Sequence, residues 1–235
     1  SRRVSRFSFN ERVLLSQNAL DGNADNVDDI KQTRASVNMS MAGIDKNTKQ
    51  FYVYKGKKDN GSIMVVEFKK GKWAKPKKLA GSINHIAYKE TSFSCDNAGN
   101  AYFVSDRRGG FGGKDIWVAK HKKGHRYGEA INIGDVINTP FDEEGVYITK
   151  DGNTIFFSSK GHQGLGGYDV YKSVKVNNEW TKPVNLGHPV NSPADELFYF
   201  PTADSLVALY STIRQGGYGG YDIYKIQVDK RVPFK

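Results

Sequence analysis

Residues 145–161, GVYITKDGNTIFFSSKG, alternate apolar with polar or small side chains on either side of a polar Asp-Gly-Asn. That pattern predicts two short strands joined as a hairpin. Similar turn chemistry stands at DNAGN (96–100) and TADS (202–205). A third strand is predicted in YDVYKSV, just after a Gly-rich loop, and a fourth around Trp180 in EWTKPVNLG. No helix-length amphipathic run separates one such group from the next.

The group recurs. SDRRGGFGGKDIWVAK (105–120), SSKGHQGLGGYDVYKS (158–173) and STIRQGGYGGYDIYKI (211–226) each carry a β-rich run, a Gly-rich loop, an Asp and a second β-rich run. Asp115, Asp169 and Asp222 are 54 and 53 residues apart, and one further step back reaches Ser62 of a degenerate first copy. Trp73, Tyr127 and Trp180 keep the same period, as do Asn84, Asn138 and Asn191, and then Glu90, Glu144 and Glu196. Four-stranded units of about 40 to 55 residues repeated in this way are propeller blades. The expected fold is all-β, a β-propeller of four-stranded antiparallel blades, with four blades preferred and five kept open.

The expected organisation is a single domain over 1–235, with repeats at about 34–85, 86–139, 140–192 and 193–228. The last repeat runs out at KRVPFK without a Trp strand, and residues 1–33 are expected to close the ring. LLSQNALDG (14–22) aligns on the outer strand of the third repeat, Leu14 under Trp180 and Leu20 under Leu186. A blade completed from both termini leaves no free sheet edge.

The Gly-rich loop resembles a phosphate loop in composition but not in context. A phosphate loop leads into a helix N-terminus and usually adds Lys then Ser or Thr; here Gly113 is followed by Lys114, Asp115 and a strand. The glycines are therefore expected to form a wide inter-strand turn, with Asp115, Asp169 and Asp222 accepting its exposed N–H groups. In a four-stranded meander this loop and the connection to the next blade emerge at the same end. SDRRGGFGG, with Arg107 and Arg108, should thus adjoin VINTPFDEEG, with Asp142, Glu143 and Glu144; Arg214 with the pair Asp195 and Glu196 repeats the arrangement, and these charges are expected to pair between blades.

Composition narrows the function. The chain carries net charge +10, and its lysines gather in KKGKWAKPKK (69–78) and AKHKKGHRYG (119–128). Such a run suits a solvated edge strand protected against sheet pairing; it also predicts a basic rim through Lys75, Lys77, Lys122 and Lys123 that meets an acidic protein or an anionic envelope polymer. The lysines are not interleaved with a stacking array, which argues against nucleic acid. The single Cys95 excludes an internal disulfide framework and is expected to be a small buried hydrophobe. The five histidines fall in different repeat columns and suggest no metal set, and no cofactor is implied. No apolar run approaches the roughly 18 residues that cross a bilayer, so any membrane association is expected to come through parts outside this chain. SRRVSRFSFNERVLL begins as if cut from a longer protein.

The succession Asn-Thr/Ser-Pro, acidic residues, DGNTIFFSSKG, a Gly-Gly loop, YDVY and WTKPVNLG is similar to the WD-repeat-like propeller repeats of Bacteroidetes envelope proteins, which are often joined to an OmpA-type peptidoglycan-binding domain. The resemblance spans about 34–228, is specific from 87 onward, and is strongest to PorE-like lipoproteins of the type IX secretion system. It implies an interaction scaffold without enzymatic activity, in the periplasm at the outer membrane, whose partners are other envelope or secretion-system proteins. The residues named as surface anchors are Arg107, Arg108, Phe111, Tyr168, Arg214, Tyr218 and Tyr221. The alternative is a carbohydrate-binding or glycoside-cleaving propeller using channel carboxylates, with Glu90, Glu144 and Glu196 as candidates. Because those three share one repeat column, the reading without catalysis is preferred.

Overall fold

The computed structural model describes residues 14–16, 27–29, 38–45, 50–57, 60–70, 72–201, 207–214 and 220–227. Among them every regular element is a strand. The fold class is the one expected: all-β, with four antiparallel blades of a β-propeller following one another along the chain. No fifth blade occurs among the described residues. Two compact units divide the chain, residues 1–78 and 79–235.

The first unit opens with β1 (Leu14–Ser16) and β2 (Val27–Asp29), an antiparallel ribbon in which Leu14 pairs with Asp29. Leu20 lies outside the described residues, as do 1–13. The first blade follows as β3 (Asn38–Asp45), β4 (Gln50–Lys57), β5 (Asn60–Lys69), β6 (Lys72–Trp73) and β7 (Lys77–Lys78). Both β6 and β7 pair with β5, so they are two pieces of one outer strand. Trp73 meets Phe51 edge-on at 4.7 Å and Phe68 at 4.9 Å. Lys57 pairs with Asn60, so this blade joins its second and third strands without the long Gly-rich loop, which is the form its degeneracy takes.

The second unit holds three blades. Blade 2 is β8 (Glu90–Cys95), β9 (Ala101–Ser105), β10 (Asp115–His121) and β11 (Tyr127–Asn132). Blade 3 is β12 (Glu143–Ile148), β13 (Thr154–Ser159), β14 (Asp169–Val176) and an outer strand in two pieces, β15 (Glu179–Trp180) and β16 (Val184–Asn185). Blade 4 contributes β17 (Glu196–Pro201), β18 (Val207–Thr212) and β19 (Asp222–Gln227). The TADS turn and residues 228–235 lie outside the described residues.

The two-residue period of a strand explains the core. In β13, Ile155 and Phe157 turn toward Tyr102, Val104 and Ile116 of blade 2, with Val146, Ile148 and Tyr171 completing that cluster. Phe156, between them, packs instead against the cluster formed by Val170, Leu186, Val190, Tyr199, Ala208 and Tyr210. Each side of blade 3 is thus covered by a neighbouring sheet, and its strands are apolar on both faces. Each innermost strand carries a register shift: between Met41 and Gly43, Glu90 and Phe93, Glu144 and Tyr147, and Leu197 and Phe200. In blade 3 this irregularity uses Gly145 at φ 59°, where a Cβ would come within 2.6 Å of the Phe198 nitrogen.

Candidate functional site

The Gly-rich loops are held by the aspartates that follow them. Asp115 accepts from the N–H groups of Phe111 (2.8 Å) and Gly112 (3.3 Å), and Asp169 from those of Leu165 (2.8 Å) and Gly166 (3.0 Å). Both carboxylates are buried, and burial raises the Asp115 pKa against the pull of its two N–H donors. Asp222 opens β19 and is half-buried; the loop before it, with Tyr218, lies outside the described residues.

The asparagine column fastens one blade to the next. The Asn138 side chain accepts from Ile116 N–H at 2.8 Å and donates to Ile116 C=O at 2.9 Å; Asn191 does the same to Val170 at 2.8 and 2.9 Å. An amide side chain supplies both the donor and the acceptor that a backbone unit needs. Asn84 donates to the Leu79 carbonyl at 2.9 Å. Loop and connection do stand together: Lys114 N–H donates to Asp142 (3.1 Å), Glu143 N–H to Lys114 C=O (2.8 Å), Tyr168 N–H to Asp195 (2.8 Å) and Glu196 N–H to Tyr168 C=O (2.7 Å).

Two sequence expectations about charge need correction. The acidic column is Glu90, Glu143 and Glu196, and Glu144 lies outside it. The three accept, respectively, from Ser105 (3.3 Å), Ser159 (2.7 Å) and Thr212 (2.9 Å) at the end of the second strand, and all three are fully buried. Glu144 instead crosses between blades, accepting from Thr91 at 2.8 Å and pairing with Lys114. Arg107 and Arg214 are not surface anchors, and each pairs within its own blade: Arg214 does meet Glu196, as its sequence setting suggests, but not across blades. Arg107 turns inward to Glu90 (3.1 Å) and to the carbonyls of Ser82 (3.0 Å) and Ile83 (3.2 Å), its guanidinium over the rings of Phe103 and Trp117. Arg214 repeats this on Glu196 (3.3 Å) and the Val190 carbonyl, beside Tyr210 and Tyr224.

Blade 3 breaks the pattern. Gly161 stands at the arginine's repeat position, and the ring of the next residue, His162, fills the space between Phe157 and Tyr171, with its ring nitrogen 2.9 Å from the Ile137 carbonyl. Glu143 is met by the Thr139 hydroxyl (2.7 Å) and N–H (3.2 Å) and by Ser159. Burial pushes Glu143 up to about 7 and pushes Glu90 up to about 7 as well, the latter against the opposing charge of Arg107.

Tyr168 is also buried, under the Lys160 ammonium at 4.4 Å, rather than a surface anchor. Arg108, Phe111 and Tyr221 are exposed. Lys75 and Lys77 are exposed in the first unit, Lys77 pairing with Glu67 at 3.3 Å, and Lys122 and Lys123 are exposed in the second. Cys95 is buried. Among the described residues no group of three or more His, Cys, Asp or Glu side chains is placed to hold a metal ion.

No family model matches the chain, and no curated protein matches it. Solved structures do. TolB from Acinetobacter baumannii superposes with a TM-score of 0.55 at 11% identity over 88% of this chain and 45% of TolB. A prolyl endopeptidase superposes at 0.50, with 15% identity over 90% of this chain and 28% of that one. An α-L-arabinofuranosidase from Lactobacillus brevis gives 0.51, with 9% identity over 90% and 84%. The chain thus spans less than half the length of the first two. At these identities the likeness shows the fold alone. It also corrects the expectation of a chain without enzymatic activity: two of these three structures are of enzymes, so the fold gives no ground for excluding catalysis.

Proposed function

We propose that this chain is a protein-docking module of a bacterial envelope protein, held in the periplasm at the outer membrane and working in a type IX secretion system or a related envelope assembly. One observation carries the docking reading. The polar residues shared by the repeats (Asp115 and Asp169, Asn138 and Asn191, Glu90 and Glu196 with their arginines) are spent on the blades themselves, whereas the exposed loop tips differ from repeat to repeat. A rigid frame with individual tips suits the recognition of a particular partner. The placement in the envelope rests on the resemblance of residues 87 onward to propeller repeats joined to OmpA-type domains. Attachment to the membrane then belongs to parts of the protein outside residues 1–235.

The test is a pull-down from envelope extract with the folded chain as bait and an unrelated propeller as control. Specific recovery of outer-membrane or secretion components supports the reading, and identical recoveries overturn it.

A further inference from the structure

Among the described residues, the two ends of blades 2 to 4 differ in chemistry. At one end the hairpins joining first to second and third to fourth strands are polar and charged: Asp96, Asn97 and Asn100, then Lys122, Lys123 and Arg126, then Lys150 and Asp151, then Asn177 and Asn178. At the other end stand the Gly-rich loops, the ends of the second strands and the connections between blades. Large apolar side chains are exposed there: Ile86 (92%), Phe111 (50%), Phe141 (59%), Leu165 (56%), Ile213 (43%) and Tyr221 (48%). Phe111 and Phe141 belong to segments in direct contact, since a Cβ on Gly112 would strike the Phe141 carbonyl. Leu165 occupies in blade 3 the place of Phe111 in blade 2, each beside the N–H that its aspartate holds. Clusters of exposed apolar groups rimmed by polar ones mark interaction sites.

Charge tells what such a face can receive. The chain is strongly basic, yet most cations of this end are turned inward or paired: Arg107 and Arg214 enter the blades, Lys114 is held by Glu144, and Lys160 lies 3.9 Å from Asp142, while Lys89 is exposed in the connection that precedes blade 2. Arg108 is the exposed cation of the loop tips of blade 2. An anionic polymer would be drawn to the lysines of the opposite hairpins instead, whereas a protein interface centre is depleted in charge and enriched in aromatic side chains. The tips are also preorganised by Asp115, Asp169 and the Asn138 and Asn191 bridges, which lowers the entropy lost on docking.

We infer that the Gly-loop end of blades 2 and 3 is a docking face for a partner protein presenting an apolar, weakly charged ridge, with Phe111, Phe141 and Leu165 as its anchors. This rests on the docking-module reading above. The test places the photoreactive residue p-benzoylphenylalanine at 111, 141 or 165 of the full chain, and at 123 or 151 on the opposite hairpins, and irradiates each in envelope extract. The expected result is one shared adduct from 111, 141 and 165, none from 123 or 151, with mass spectrometry locating the linkage in an apolar segment of the partner. Phe141→Ser in the chain labelled at 111 should lower that adduct about thirtyfold, the size of a lost hot-spot contact, with an unchanged melting temperature. Adducts confined to 123 and 151, or a linkage in an acidic segment, overturn this face and leave the docking-module reading standing. A linkage to a second copy overturns the separate partner, and no specific adduct at any position overturns both readings.

Discussion

Glu143→Gln is expected to stabilise this protein, and to do so only away from acid. The Glu143 carboxyl is fully buried and rises from an ordinary 4.5 to about 7 because burial disfavours its charge; Asp115 adds to the rise, and the Thr139 and Ser159 donors oppose it. A raised carboxyl pKa means that between those two values the folded chain holds a proton that the unfolded chain has released. Stability from this group therefore falls as pH rises from about 4.5 to about 7 and stays low above that. Two and a half units correspond to roughly 3 kcal/mol as an upper figure. Gln keeps a carbonyl that can accept from Thr139 and Ser159 but cannot ionise. The variant and the parent should thus match at pH 5 to within about 1 kcal/mol, and the variant should be the more stable by as much as about 3 kcal/mol at pH 8. Urea unfolding followed by tryptophan fluorescence at pH 5, 6, 7 and 8 measures the difference, and Glu90, which is pushed up over the same range, cancels between the two chains. A difference that does not change with pH, or a variant less stable at pH 8, refutes the reasoning.

Other outcomes follow from the same frame. His162→Arg supplies blade 3 with a guanidinium one position after Gly161, the register equivalent of Arg107 and Arg214, and it should raise the urea midpoint at pH 8 more than at pH 5. Asp169→Ala leaves the Leu165 and Gly166 N–H groups without their acceptor and should cost about 1 to 3 kcal/mol, read as a lower melting temperature. Gly145→Ala forces a Cβ at positive φ against the Phe198 backbone nitrogen, and calorimetry should show a loss of about 1 kcal/mol or more. Lys122→Glu with Lys123→Glu changes exposed charges only, and should shift stability by less than about 0.5 kcal/mol.

The strands, hairpins and blade period were legible because alternation and turn chemistry are local properties, repeated here at nearly constant spacing. The union of Gly-rich loop and blade connection followed from strand direction alone. The fate of Arg107 was not legible. An arginine on a Gly-rich loop reads as an exposed anchor, and what turns it inward is a pair of carbonyls at Ser82 and Ile83, more than twenty residues away. Two signals did exist: a Ser or Thr stands two positions before both Arg107 and Arg214, and Glu90, Glu143 and Glu196 are spaced by 53 residues each time. Glu144 masked the second signal by standing beside the true column. Tyr168 was misread for a similar reason, because the lysine that covers it, Lys160, comes from the far side of its own loop.

The side-chain bridges from Asn138 and Asn191 all lie on one end of the blades, and this decides where the chain tolerates being opened. A break in residues 133–142 would separate Asn138 from Ile116 and Glu143 from the Lys114 carbonyl. The turn between β14 and β15 has no such duty: Asn177 and Asn178 sit at φ 49° and 67°, serving only to reverse direction on the opposite end. New termini of a permuted chain, a fluorescent reporter or an affinity handle therefore belong between Asn177 and Asn178, where the reversal is replaced and every bridge between blades stays closed.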